Sequence, residues 1–294
     1  MAQLLIKRGA NVDFVGPNGT ALHLAFVNGD MKMVDLLLSN RATVNVTRPC
    51  DKKTMLHLFI DELLHRSDGH WSFPLLDIPD IIYKNMEYQD VYLRKLVELG
   101  CEVNAKDEEG NTALHIACTK LRDGEGCARI VLELGANINI ENDEGETPFH
   151  RSLYYDGYRI NADDFMMLYH HVQKLKALGL EVNPNNEKCC AQLLSEKEEC
   201  DPEAECFTEE SLAKMQQQRL DEIEKMQKTK IDRRTTLYKV LLEKSAILGE
   251  YSRNDKFRKI IDAENFSDEY PSYGFMLKLQ DERGQKIAEA HDKK

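Results

Sequence analysis

The chain has 294 residues, 42% of them hydrophobic, enough for one elongated array and a second small domain with buried cores. Its 51 acidic side chains outnumber 39 basic ones, leaving a formal charge of −12, which speaks against a nucleic-acid partner held by Lys and Arg at phosphates. The eight cysteines show no disulfide-framework spacing, no stretch approaches a membrane span, and MAQLLIKRGANVD holds no apolar run long enough for a signal peptide, so a reducing cytoplasmic or nuclear compartment is expected.

In chain order, Met1 to Asp13 reads as the second helix of a helix pair and the turn after it. A first helix then opens with TALHLA at Thr20. The phrase returns as TMLHLF at Thr54, TALHIA at Thr112 and TPFHRS at Thr147, at separations of 34, 58 and 35 residues. A second phrase accompanies it: GANVD at Gly9, RATVN at Arg41, GCEVN at Gly100, GANIN at Gly135 and GLEVN at Gly179. Two separations sit near a period of about 33 residues, and the third is that period plus an insertion. A unit that cannot bury its own apolar face must stack on its neighbours.

Within each unit, Thr is an N-cap accepting from an orphan amide. Leu22, Leu24 and Ala25, matched by Leu114, Ile116 and Ala117, form an apolar stripe. Met33, Val34, Leu36, Leu37 and Leu38 mark the second helix. Each pair leaves through a glycine suited to a left-handed helix end; Arg41 is the departure and should cost stability. Turns follow at 16–19, 107–110 and 142–145. The insertion, at about 60–89, holds the only tryptophan, Trp71, and is long enough to serve as a partner anchor or to fill its own groove. The second helix after it is expected at 90–99, and that of the fourth unit at 164–178.

These units resemble ankyrin repeats, whose pattern is G-x-T-P-L-H-x-A, a second helix ending L-L, then G-A-x-x-N; the resemblance covers about residues 1–183. It implies an all-α solenoid of stacked helix pairs with short hairpin turns. It also implies a structural role for His23, His57, His115 and His150 as bridges between backbone groups of neighbouring turns. Helices packed about 10 Å apart would hold these rings too far apart to share a metal. Protein binding through turn tips and the first-helix face is implied too. The candidate partner-binding residues are Asn18, Phe26, Arg48, Lys52, Trp71, Lys106, Glu108, Asn111, Arg122, Asn142 and Glu144. The tips run from neutral or basic to strongly acidic, a gradient that would set a partner's basic residues against the later repeats. No Walker loop, nucleophile elbow, H-E-x-x-H or paired Cys-His signature is present in the sequence. The expectation is a non-enzymatic, monomeric interaction module without cofactor or metal, binding protein and neither nucleic acid nor membrane.

Composition shifts at Pro184, and 184–207 reads as an acidic linker carrying Cys189, Cys190, Cys200 and Cys206 as free thiols, without a C-x2-C zinc knuckle. Residues 208–294 read as a C-terminal helical region. Helices are expected at 208–228, with a stripe of Leu212, Met215, Leu220, Ile223 and Met226 interrupted by Arg219; at 236–248; at 255–263; and from Phe275. T-L-Y-x-x-L-L, then F-x-x-I-I, then Y-P-x-Y-G-x-M-L-K, over 232–278, resemble the PRANC-type region that follows ankyrin repeats in poxviral and insect proteins. In viral members that region is F-box-like and recruits a Skp-type adaptor of cullin ubiquitin ligases, which makes Tyr270, Pro271 and Leu277 the matching candidates here. Two alternatives therefore stand beside a plain interaction module: a substrate adaptor for such a ligase, and an inhibitor of a Rel-type transcription factor, a role short ankyrin proteins can play.

Overall fold

The computed structural model describes residues 1–27, 30–67, 86–119, 127–154, 162–195 and 208–292. The regular elements among them are α-helices. The chain divides into two compact units, Met1–Asp164 with Asn183–Cys190, and Phe165–Val182 with Ala191–Lys294.

The first unit begins with α1 (Ala2–Lys7) and then pairs helices: α2 (Ala21–Val27) with α3 (Met31–Ser39), α4 (Met55–Ser67) with α5 (Met86–Glu98), and α6 (Ala113–Thr119) with α7 (Cys127–Glu133). The helix α8 (Pro148–Tyr154) follows. First helices form one row, α2 on α4, α4 on α6 and α6 on α8, and α5 packs on α7. The phrase repeated in sequence is thus the helix repeated in space. Leu22, Leu56, Leu114 and Phe149, one from each copy, are each 0% exposed. Burial of such a side chain is worth about 1.5–3 kcal/mol. Leu24 departs from the expected stripe. It is 44% exposed, because with Leu22 and Ala25 both turned into the stack the position between them points outward.

Helix pairs end at residues with positive φ: Gly9, Gly100, Gly135 and Gly179, and Arg41 at +63°. The arginine therefore occupies the left-handed position that the glycines occupy elsewhere. A second such residue was not legible beforehand. Lys52 has φ +56° at the place in its tip taken by Gly110 and Gly145 in theirs.

The expected linker at 184–207 is corrected over its first half, which forms α10 (Pro184–Ser195). Asn186, fully buried, explains why. Its Oδ1 accepts from the Thr147 hydroxyl (2.5 Å), and its Nδ2 donates to the Ile138 carbonyl and to Asn139 Oδ1 (both 3.0 Å). Cys189 and Cys190 are buried on this helix rather than in a loop, and burial pushes the Cys189 thiol up to about 12. Cys200 and Cys206 lie outside the described residues.

The second unit contains most of α9 (Ala162–Ala177), then α11 (Glu209–Lys228), α12 (Leu237–Leu242), α13 (Leu248–Ser252), α14 (Asp255–Ile261), α15 (Phe266–Glu269) and α16 (Gly274–Asp292). Its core gathers Met226, Leu237, Val240, Phe257, Phe266, Tyr273 and Leu277. The single helix expected at 236–248 is broken. Glu243 turns extended (ψ 134°) and its carboxylate takes the Lys244 and Ser245 amides, while Gln280 Nε2 donates to the carbonyls of Leu241 and Glu243 (2.8 Å each). Close approach fixes α13 against α16, where Gly284 faces Ser252 and Leu248.

The stripe of α11 is also corrected. Leu220 is 47% exposed, whereas Arg219 is 7% exposed beside Glu222, Ile223 and Met226. Glu222 accepts from the amides of Ser272 (3.0 Å) and Tyr273 (3.3 Å) and so caps the start of α16. Tyr270 and Leu277 are core residues, 2% and 0% exposed, and of the three residues matching the C-terminal motif only Pro271 faces solvent. No described helix is long and apolar enough to cross a membrane.

Candidate functional site

The tips and first helices of the first unit are positioned by the histidines. Thr54 and Thr112 each donate a backbone N–H to the Nδ1 of the histidine three residues on, at 3.2 and 3.0 Å, and Thr20 does the same for His23 at 3.1 Å. Nδ1 is therefore an acceptor and Nε2 carries the proton. His57 Nε2 donates to the Asn111 carbonyl (3.1 Å) and His115 Nε2 to the Glu146 carbonyl (3.0 Å), each reaching the tip of the next repeat. Burial is the first cause that holds all three rings below their ordinary pKa, His115 at about 4. His57 and His115 are thus neutral bridges at physiological pH, whereas the bridge expected of His23 is corrected: its Nε2 is enclosed and makes no hydrogen bond among the described residues. At the fourth copy the hydroxyl of Thr147 is turned to Asn186 instead, and His150 N–H donates to Thr147 Oγ1 (3.1 Å).

A second set of stitches was missed in the sequence, although the second phrase displays it. Its last residue reaches the following repeat: Asp13 Oδ1 accepts from Thr43 N–H (2.7 Å), Asn104 Oδ1 from Asn137 N–H (2.8 Å) and Asn139 Oδ1 from Asn183 N–H (2.9 Å). The tips themselves are joined through backbone. Glu108 N–H donates to the Asp51 carbonyl (2.9 Å) and Asp143 N–H to the Glu109 carbonyl (3.1 Å). Three consecutive tips thus form one ladder with side chains projecting from a fixed frame.

Beside this ladder lies a cleft of about 320 Å³, lined by Asp51, Lys53, Asp61, Asp107, Glu108, Glu109, Asn111, Ile116, Thr119 and Arg151. Its basic groups are engaged within the protein. Lys53 Nζ pairs with Asp61 (2.6 Å), Arg151 Nη1 with Asn111 Oδ1 (3.1 Å) and Glu146 (3.6 Å), and at the rim Arg48 grips Asp51 in a two-pronged pair. That pair holds the Asp51 carboxyl below its usual value against the opposing effect of burial. Glu108 is exposed, and its carboxylate makes no bond among the described residues. The same is true of Glu144 on the next tip. At these tips the exposed acids Glu108, Glu109, Glu141, Asp143 and Glu144 outnumber the exposed Lys52 and Lys106, so the surplus charge facing solvent is negative.

Of the candidate residues, Asn18, Lys52, Lys106, Glu108 and Glu144 are exposed at tips, and Lys106 Nζ also donates to the Glu141 carbonyl (2.7 Å). Asn111 and Asn142 are corrected to internal roles. At 3% and 6% exposure they are spent inside the tips, Asn142 Oδ1 accepting from the amides of Glu144 and Glu146, and Asn111 Oδ1 accepting from Asn142 Nδ2 (3.1 Å). An asparagine at a turn reads as exposed; only the stack shows that its amide has been taken up. Trp71, Arg122 and the side chain of Phe26 lie outside the described residues.

Comparison with known proteins agrees with this geometry. Residues 86–175 match a family model described as ankyrin repeats (3 copies), and residues 19–48 match the single ankyrin repeat. The chain is also similar to "Ankyrin repeat and SOCS box protein 6" of Homo sapiens, 33% identical over 115 residues, which are 38% of this chain and 22% of that protein. The Pongo abelii and Mus musculus proteins of that name are each 32% identical over 115 residues. The chain thus spans about a fifth of the length of the curated relatives it matches.

Proposed function

We propose, from the premise that this chain carries an ankyrin-repeat array, that it is a non-enzymatic interaction module whose stitched tips and first-helix cleft grip a partner protein through that partner's basic residues. The ankyrin repeat is a protein-interaction module. The observation that carries the finer reading is the state of charge at the cleft: Lys53, Arg48 and Arg151 are paired internally, while the carboxylates of Glu108 and Glu144 project unpaired from a frame held by backbone bonds. Electrostatic complementarity of this kind sets partner choice and association rate. The chain would work in the cytoplasm or nucleus, where its free cysteines stay reduced.

The test is proximity labelling in the native cell with the parent and with a Glu108→Lys/Glu144→Lys variant, followed by mass spectrometry. The expected outcome is a discrete set of neighbours lost from the variant while its circular dichroism is unchanged. An identical set from both proteins overturns the tip assignment.

A second reading is a ubiquitin-ligase substrate adaptor, with the second unit recruiting the ligase. Support comes from the resemblance of 232–278 to the PRANC-type region and from relatives whose name joins ankyrin repeats to a SOCS box. Purification of the full chain from native cells should then co-isolate a cullin-ligase adaptor of the Skp type or a SOCS-box partner; recovery of neither refutes it. The Rel-inhibitor alternative calls for a direct titration with a Rel-type domain, in which no binding removes it.

A further inference from the structure

The second unit holds a buried cation that pairs with no carboxylate among the described residues. Arg219, on α11, is 7% exposed, and its one hydrogen bond among the described residues runs from Nη1 to His170 Nδ1 of α9 (3.3 Å). A buried guanidinium is ordinarily matched by a carboxylate, because removing it from water costs several kcal/mol. The nearby acid on the same helix, Glu222, is committed to the amides of Ser272 and Tyr273. Nε and Nη2 of Arg219 have no partner among the described residues, and the remaining exposure of the residue leaves an edge open to solvent.

The surroundings add donors that no described acceptor takes. His170 Nδ1 accepts from Arg219, so its Nε2 carries the proton, and Nε2 is enclosed without a partner. The Tyr273 hydroxyl, on a side chain 0% exposed and within electrostatic range of Arg219, is likewise enclosed without a partner. Tyr169 meets the His170 ring edge-on (5.6 Å, 71°). Arg219 and Tyr273 therefore keep unspent N–H and O–H donors, while His170, engaged to Arg219 through Nδ1, turns its own Nε2–H away from the charge. The missing complement of such a set is an anionic acceptor.

We propose that the Arg219–His170–Tyr273 cluster is an oxyanion-binding site, taking a carboxylate or phosphoryl group on the open edge of the guanidinium. A planar fork of N–H donors matches two oxygens of either group. The proposal is independent of the array, since every residue in it belongs to the second unit.

The test is a titration of the full chain with inorganic phosphate and, separately, acetate, at constant ionic strength set by chloride. It is followed by NMR at the Arg219 side-chain Nε–H and the His170 ring. Saturable shifts with either anion are expected. Phosphate alone identifies a phosphoryl site, acetate alone a carboxylate site, and both together a general oxyanion site. Arg219→Gln should weaken binding by about tenfold or more. Tyr273→Phe, which keeps the core volume, should weaken it several-fold and serves if Arg219→Gln does not fold. Shifts that fail to saturate with either anion, or that are unchanged in the variants, overturn the proposal and leave an enclosed water as the partner of these donors.

Discussion

Acid should loosen the array through its histidine bridges, and His115 lets the effect be sized. The ring is 0% exposed, accepts the Thr112 N–H on Nδ1 and donates to the Glu146 carbonyl from Nε2. Protonating Nδ1 destroys the first bond and places a charge in the stack, so the folded-state pKa falls from 6.5 to about 4, burial being the largest cause. The unfolded chain binds the proton more readily than the folded one between these values. Stability from this group is therefore complete above about pH 6.5, falls as pH drops, and levels off below about pH 4. The full gap corresponds to roughly 3 kcal/mol, of which about 2 kcal/mol is gone at about pH 5. His57 shifts in the same direction for the same cause and adds to the slope. The assay is urea unfolding followed by far-UV circular dichroism, at neutral pH and at about pH 5, for the parent and for His115→Gln, which has no titrating ring. The variant should be less stable at neutral pH, by about 1–3 kcal/mol for disrupted buried hydrogen bonds. Its loss on acidification should be smaller than the parent's by about 2 kcal/mol. Equal losses in the two proteins would falsify the bridge as described.

Other expectations follow from single positions. Replacing Arg41 or Lys52 by glycine removes a side chain from a left-handed backbone and should raise stability by about 1 kcal/mol each, read as a higher urea midpoint; a drop in either variant contradicts the strain argument. Leu114→Ala, at the centre of the first-helix row, should cost about 2–5 kcal/mol in the same assay. Gly284→Ala would set a Cβ 1.9 Å from Ser252 Oγ and 2.5 Å from the Leu248 carbonyl, so a loss of about 1–3 kcal/mol or more should appear in the thermal unfolding of the second unit, and a neutral result would mean α13 and α16 are less tightly apposed.

Much of the array was legible because its signals are local and repeated. Thr20, Leu22 and His23 recur as Thr112, Leu114 and His115 at a period that only stacking explains, and the structure places them in one row. The left-handed demand on Arg41 was legible by comparison with four glycines in the same phrase. Lys52 was not, because its tip is longer and differently spelled, and only the backbone shows it standing where Gly110 stands. Asn111 and Asn142 misled for a related reason: polar side chains at turns signal exposure unless another repeat lies against them.

What the amino-acid sequence determined by itself, then, was the repeating unit and its helices, since short-range periodicity and capping depend on residues a few positions apart. Which polar groups were consumed and which were left over was decided only when helices distant in the chain came together. Arg219 broke the apolar pattern of α11 on paper, yet it is buried while Leu220 faces water, because the partner surface and not the helix chooses the face that loses its hydration.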